Sequence, residues 1–133
     1  MALNPMKYFS KDLIEKPVPL DVWLQGTIEQ TVGNNILIIS DNYGRVKITK
    51  CESADGVIDK ATLRKYLQKF YFSFLPTGNY CCIIGIAVKT KGLPEVQATK
   101  YIDLSQHPDM KVAWEYEVRE AHLLLQGKIL PRI

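Results

Sequence analysis

The sequence predicts an all-β domain with added helices, in which five strands form a Greek-key barrel. Three segments with strand-like hydrophobic patterns are followed by one segment with helical periodicity and then by two more strands. Gly26 and Gly85 interrupt the first and fourth strands, where the strands of a small coiled barrel must bend sharply. A second helical segment follows the fifth strand. This is the element order of the OB-fold, with a helix between strands three and four and a C-terminal helix. An α+β sandwich remains open as the alternative.

The predicted strands follow from hydrophobic alternation over short stretches. In the first strand, Val22, Leu24 and Ile28 fall on one face, which is the period-two pattern of a half-buried strand. The five predicted strands are Asp21–Thr31, Ile36–Ile39, Arg45–Thr49, Tyr80–Lys89 and Glu95–Asp103.

The two helices follow from apolar residues that recur at three and four residues. Asp59 is a candidate N-cap for the first helix, whose apolar positions run from Leu63 to Phe70. The second helix covers Met110–Gln126 and is closed by Gly127. The first helix is the one expected between the third and fourth strands.

The length and composition fit one folded domain. The chain has 133 residues, of which 47% are hydrophobic and 23% charged, so it can bury an ordinary core and is not disordered. We expect residues 1–20 to form an N-terminal arm and residues 21–133 to form the OB-fold domain, including the C-terminal helix over 110–126. Within the arm, Asn4–Glu15 is predicted as a short helix or an ordered arm. No apolar run approaches the roughly 18 residues of a membrane span.

Charge and cysteine content place few limits on function. The 17 Lys and Arg residues exceed the 14 Asp and Glu residues by three, which permits nucleic-acid contact without predicting it. Cys81 and Cys82 are adjacent in a predicted strand and would point to opposite faces, so they are not expected to pair. Together with the lack of a signal-peptide pattern, this favours a reducing intracellular compartment.

The sequence lacks the motifs of the common catalytic and metal sites. It has no Cys-x-x-Cys and no His-x-x-x-His, and His107 and His122 are far apart. It also lacks a Gly-x-Ser-x-Gly elbow and a glycine-rich phosphate loop. We therefore expect no enzymatic activity, no metal and no cofactor.

The C-terminal helix carries apolar residues on two sides. At 100° per residue, one stripe contains Met110, Trp114, Val118, Ala121 and Leu125. Nearly opposite lie Val112, Tyr116 and Leu123. A helix that packs only on its own barrel needs one apolar face, so the second face predicts a protein partner. The alternative is that Val112 and Leu123 are scattered surface hydrophobes.

Binding of single-stranded nucleic acid by the barrel alone is the competing function. Barrels of that kind present aromatic side chains on their second and third strands, interleaved with Lys and Arg. The corresponding segment here offers Tyr43, Arg45, Lys47 and Lys50. Trp23 and Tyr101 could stack on bases, or could pack against the arm or a partner.

Three stretches of the sequence, taken together, resemble one known family. They are Val22–Gly26, then Leu75–Tyr80 with Ile84–Val88, and then Gln97–Ser105 with Pro108 and Trp114–Val118. In order and spacing they resemble the RecQ-mediated genome instability protein 2 family, the small OB-fold subunit of the RecQ helicase–topoisomerase III alpha complex. The resemblance covers about Asp21 to Leu125. The segment from Cys51 to Leu75 is longer than expected for the family, and the arm has no clear counterpart.

The resemblance implies a non-catalytic subunit in the nucleus. In that family the subunit forms a heterodimer with the C-terminal OB domain of RecQ-mediated genome instability protein 1, and the two C-terminal helices pack together. The heterodimer supports double Holliday junction dissolution by topoisomerase III alpha and a RecQ helicase, and it docks a Fanconi-anaemia-type helicase. The subunit alone shows little DNA binding.

The resemblance also indicates which residues of the C-terminal helix would bind the partner. Trp114, Val118 and His122 match the family stretch, and helical spacing adds Met110, Ala121 and Leu125. The sequence does not decide which side of the helix meets the barrel and which meets the partner.

Overall fold

A computed structural model describes residues 5–33, 35–51, 54–57 and 77–127 of the chain. Its strands are β1 (Met6–Lys7), β2 (Leu20–Val32), β3 (Ile36–Ser40), β4 (Arg45–Thr49), β5 (Asp55–Val57), β6 (Tyr80–Lys89) and β7 (Glu95–Asp103), and its α-helix is α1 (Pro108–Leu125). The helix predicted to start at Asp59 lies outside the described residues. Among the residues described, no helix is long and apolar enough to cross a membrane.

Five of the strands close into a barrel. β2 pairs antiparallel with β3 on one side and with β6 on the other. β3 pairs antiparallel with β4, β6 pairs antiparallel with β7, and a parallel pairing of β4 with β7 closes the circle. This confirms the predicted OB-fold barrel and its strand order. The short β5, which the sequence did not predict, adds to β7 in parallel.

Two glycines in the long strands allow a neighbouring strand to approach closely. A Cβ atom at Gly26 would lie 2.8 Å from the carbonyl oxygen of Ser40, and one at Gly85 would lie 2.1 Å from that of Gln97. Neither contact leaves room for a side chain, so the neighbouring strand approaches closely only because these residues are glycines. The register of β6 against β7 also shifts at Gly85. Both glycines noted in the sequence thus lie where a neighbouring strand approaches closely, and a register shift accompanies the second of them.

The barrel interior is filled by the alternating apolar side chains of its strands. Val22, Leu24 and Ile28, predicted to share a face, are all buried, as are Val46 and Ile48. Burial of such side chains is the main stabilising term for a domain of this size.

The N-terminal arm is part of the packed structure. The sequence predicted a short helix or ordered arm here, and the structure contains the two-residue strand β1 followed by a single 3₁₀ turn, Ser10–Leu13. β1 pairs in parallel with β2, with Met6 opposite Val22. Leu13 is completely buried in the barrel core. The arm therefore supplies backbone hydrogen-bond partners for the first part of β2, before β2 begins to pair with β3 at Thr27.

One carboxylate ties the arm to the turn between β3 and β4. Asp41 accepts hydrogen bonds from the Ser10 backbone N–H at 2.7 Å and from the Ser10 hydroxyl at 2.6 Å. It also accepts from the backbone N–H groups of Tyr43, at 2.9 Å, and Gly44, at 3.0 Å. The Asp41 carboxylate therefore binds the arm and the turn at the same time.

Candidate partner interface

The C-terminal helix begins two residues before the predicted start and ends one residue before the predicted end. It covers Pro108–Leu125, whereas the sequence predicted Met110–Gln126. Pro108 fits the first helical position because the backbone N–H that it lacks would have no partner inside the helix. At the other end, Gln126 donates its backbone N–H to the His122 carbonyl, and Gly127 has a φ of 75°, the left-handed conformation that commonly ends a helix.

One side of α1 is buried against the arm and the outer surface of the barrel. Trp114 is 3% exposed and Val118 is fully buried, and both pack with Phe9 of the arm. Half-buried Trp23 of β2 and Tyr43 of the β3–β4 turn complete this small second core. The helix therefore rests on side chains from three separate segments.

Polar contacts accompany this packing. The Lys7 ammonium lies 3.3 Å from Glu117 Oε1, and the Lys7 carbonyl lies 2.8 Å from His122 Nε2. On the other flank of the helix, the Tyr43 hydroxyl donates to the Glu115 carboxylate, which also pairs with Arg119 at 3.0 Å. Glu115 raises the pKa of the Tyr43 hydroxyl by accepting that hydrogen bond.

The rest of the helix presents an exposed apolar surface. Val112, Tyr116, Leu124 and Leu125 are 82%, 62%, 58% and 72% exposed. Within the described part of the chain these are the four most exposed large hydrophobic side chains, and the next, Ile14, is 49% exposed. We call Val112, Tyr116 and Leu124, which are spaced by multiples of four residues, the outer surface of α1, whereas Leu125 continues the stripe of Trp114 and Val118 past its last buried position. Val112 and Tyr116 are four residues apart and so are neighbours on one side of the helix. Clustered exposed hydrophobes of this kind are typical of protein–protein interfaces.

The six predicted partner-binding residues fall into three groups. Trp114 and Val118 are buried against the chain's own arm and barrel. Ala121 and His122 are half-buried, whereas Met110 and Leu125 are exposed. Of the opposite stripe, Val112 and Tyr116 are exposed and Leu123 is half-buried. The structure thus distinguishes the two sides of the helix, which the periodicity alone could not do.

A cavity of about 360 Å³ lies beside the N-terminal half of α1. Its walls include Tyr80, at the start of β6, together with Trp114 and Val112. The Lys111 ammonium lies 5.4 Å from the centre of the Tyr80 ring. Burial raises the pKa of the Tyr80 hydroxyl well above its ordinary value. Val112 belongs both to this cavity and to the outer surface, so the two features are continuous.

The predicted base-stacking and basic side chains are largely engaged within the chain. The Tyr43 ring has the Lys11 ammonium 3.8 Å from its centre. Arg45 pairs with Glu29 at 2.9 Å, and Lys47 lies 3.8 Å from Glu95. In addition, Tyr101 is only 4% exposed and Trp23 packs against Trp114. These contacts reduce the aromatic and cationic surface that the barrel offers to a nucleic acid.

The cysteines are buried and unbridged. None of Cys51, Cys81 and Cys82 forms a disulfide, and Cys82 accepts a hydrogen bond from the Trp23 indole N–H at 2.7 Å. Burial raises the pKa of Cys82 to about 12. Across the described ranges, no group of three or more His, Cys, Asp or Glu residues is arranged to hold a metal ion.

Solved structures of similar fold include chains from two complexes. A chain of U. maydis replication protein A bound to single-stranded DNA has a TM-score of 0.60 and 16% identity, and the match covers 97% of this chain and 100% of that one. A chain of the S. pombe Stn1–Ten1 complex has a TM-score of 0.56 and 19% identity, with 96% of each chain covered. At these identities the likeness shows the OB-fold. No curated protein sequence matches the chain significantly.

The sequence of the chain also matches a family model. The model described as RecQ-mediated genome instability protein 2 matches residues 10–122, which include all five barrel strands and most of α1. This match agrees with the resemblance carried by the three sequence stretches. The chain therefore belongs to the RecQ-mediated genome instability protein 2 family, a family of OB-fold proteins in genome maintenance.

Proposed function

We propose that the chain is a non-catalytic OB-fold subunit that binds the C-terminal OB domain of RecQ-mediated genome instability protein 1 through α1. The resulting heterodimer supports the RecQ helicase–topoisomerase III alpha complex in double Holliday junction dissolution, homologous recombination, DNA replication and DNA repair. It acts in the nucleus and provides the docking site for a Fanconi-anaemia-type helicase. Family membership supports this proposal.

The structural observation that carries the proposal is the outer surface of α1. The four most exposed large hydrophobic side chains of the described residues lie on this one helix. Tyr116 is among them, and tyrosine is enriched among the residues that dominate binding energy at interfaces. Half-buried Glu115 and exposed Arg119 lie to one side of this surface and provide a polar rim, while half-buried Glu120, four residues from both Tyr116 and Leu124, places an acidic side chain within it.

The two sides of α1 have separate roles in this proposal. Trp114 and Val118 hold the inner side of the helix on the arm and barrel, with Ala121 and His122 at the edge of that contact. Val112 and Tyr116 contact the partner along the outer surface, and the exposed members of the predicted set, Met110 and Leu125, contact it only near the two ends of the helix. An α-helix of the partner packs along this surface, because apolar residues spaced by four positions form the ridges that interlock between helices.

Single-strand binding by the chain alone is the competing proposal. The engagement of Tyr43, Arg45 and Lys47 within the chain argues against it. Titration of the pure chain with a single-stranded oligonucleotide at low and physiological salt separates the two proposals. Sub-micromolar binding that weakens steeply with salt would favour the competing function.

Mixing the purified chain with the C-terminal OB domain of RecQ-mediated genome instability protein 1 tests the proposal directly. Size-exclusion chromatography with light scattering should show a one-to-one complex at micromolar concentration. Two separate peaks at every concentration would contradict the proposed function.

A further inference from the structure

The N-terminal segment Met6–Phe9 lies between the barrel and α1. On the barrel side, Met6 and Lys7 pair with β2, and the Tyr8 backbone N–H donates to the Trp23 carbonyl at 3.1 Å. On the helix side, the same four-residue segment contacts α1 through side chains and backbone. We call this segment the clamp.

Lys7 is the centre of the clamp. Its ammonium lies 3.3 Å from Glu117 Oε1, 4.8 Å from the centre of the Trp23 ring and 6.0 Å from that of Trp114. The side chain is only 25% exposed. A partly desolvated cation over an aromatic face binds more strongly than one at an open surface. One ammonium thus joins β2 and two positions on α1.

The two following residues extend the contact along the helix. The Tyr8 ring meets the His122 ring edge-on, with centroids 5.5 Å apart, while His122 Nε2 approaches the Lys7 carbonyl. Phe9 is 5% exposed and packs with Trp114 and Val118.

The positions that the clamp contacts lie on one side of the helix. Trp114, Glu117, Val118 and His122 are separated by three, one and four residues, so they lie on the same side of α1. From Trp114 to His122 the helix rises by eight steps of 1.5 Å, or about 12 Å. A contact of this length fixes both the position of the helix and its rotation about its own axis. A rotation by one residue, 100°, would carry the outer surface toward the barrel.

We infer that Met6–Phe9 is a positioning element that fixes the rotation of α1 and thereby determines which apolar side faces the partner. The inference rests on the proposed function of α1 as the partner-binding helix. It concerns a segment outside the family match, which begins at residue 10. Partner recognition thus depends on residues that do not themselves touch the partner.

Substitutions at Lys7 test this inference. Lys7→Met keeps the apolar stem and removes the charge, Lys7→Arg keeps the charge, and Lys91→Met is the control at an exposed lysine of the β6–β7 hairpin. Partner affinity is measured by calorimetry at a temperature where circular dichroism shows every variant folded. We expect Lys7→Met to weaken binding about fivefold, with Lys7→Arg and Lys91→Met within twofold of the parent chain. Unchanged affinity for Lys7→Met would overturn the dependence on the clamp.

Amide hydrogen exchange on the isolated chain gives a second readout that needs no partner. We expect Lys7→Met and Phe9→Ala to speed exchange in α1 while leaving β6 and β7 protected. Equal changes in helix and barrel would show general destabilisation and contradict a positioning role. If the parent chain does not bind the partner, the proposed function fails, and the exchange data alone decide whether the clamp fixes α1.

Discussion

The indole ring of Trp114 packs against that of Trp23, with ring centroids 6.5 Å apart. Trp23 points outward from β2, so this contact attaches α1 to the outside of the barrel instead of to its core. The main core and the second core are therefore separate, and α1 can be perturbed without emptying the barrel. This separation makes the helix testable by mutation.

Truncation of Trp114 should destabilise the chain and loosen α1. Trp114→Ala removes a side chain that is 3% exposed, and such changes cost about 3–5 kcal/mol of unfolding free energy. The measurement is urea unfolding followed by circular dichroism. Tyr116→Ala, at a side chain that is 62% exposed, is the control and should change stability by less than about 0.5 kcal/mol. Equal stability of the two variants would contradict the assignment of inner and outer sides.

Removal of the Asp41 carboxylate should release the arm from the β3–β4 turn. Asp41→Ala leaves the Ser10 and Tyr43 backbone N–H groups without their acceptor, and a lost charged hydrogen bond costs about 1.5–3 kcal/mol. Urea unfolding measures the loss. Asn42→Ala, at the exposed neighbouring residue, is the matched control. If Asp41→Ala lowers the unfolding free energy no more than Asn42→Ala does, Asp41 does not hold the arm.

The buried thiols should make stability fall at high pH. The pKa of Cys82 is raised to about 12 in the folded chain from an ordinary value of 9.0, so the unfolded chain loses this proton first. The stabilising contribution is complete below pH 9 and declines as the pH rises toward 12, at about 1.4 kcal/mol per pH unit. Unfolding free energies measured from pH 8 to 10.5 should decline less steeply for Cys82→Ala than for the parent chain. Parallel curves would contradict the raised pKa.

The same burial predicts slow thiol chemistry. At pH 8 the folded chain should react with a disulfide reagent far more slowly than the urea-unfolded chain, because the thiolate is the reactive form. Burial also raises the pKa of Cys81. Rapid modification of Cys81 or Cys82 in the folded chain, located by mass spectrometry, would be incompatible with the packing described here.

The strands could be predicted because the hydrophobic alternation that indicates each of them lies within the strand's own sequence. Alternation over Asp21–Thr31 and over Arg45–Thr49 is contained within each segment, and the structure reproduces these strands to within one residue. The arm was less predictable. Met6–Lys7 forms a strand only because β2 has backbone groups to pair with it, and no periodicity within two residues can indicate that.

The sides of the helix were visible in the sequence, but their assignment was not. Both apolar stripes of α1 could be identified from spacing alone. The choice of inner side depends on Phe9, Trp23 and Tyr43, which come from three segments distant in sequence from the helix. The sequence therefore grouped buried Trp114 with exposed Leu125, although the first packs on the arm and the second is 72% exposed.

The outer surface of α1 is tested most directly by a charged substitution that leaves the folded chain intact. Tyr116→Asp places a carboxylate in the centre of the proposed interface, and Leu93→Asp makes the same change at a side chain on the β6–β7 hairpin that is 40% exposed. Affinity for the C-terminal OB domain of RecQ-mediated genome instability protein 1 is measured by calorimetry for the parent chain and both variants. We predict at least about a thirtyfold loss for Tyr116→Asp, equivalent to about 2 kcal/mol, and parental affinity for Leu93→Asp. Parental affinity for a folded Tyr116→Asp variant would contradict the proposal that the outer surface of α1 binds the partner.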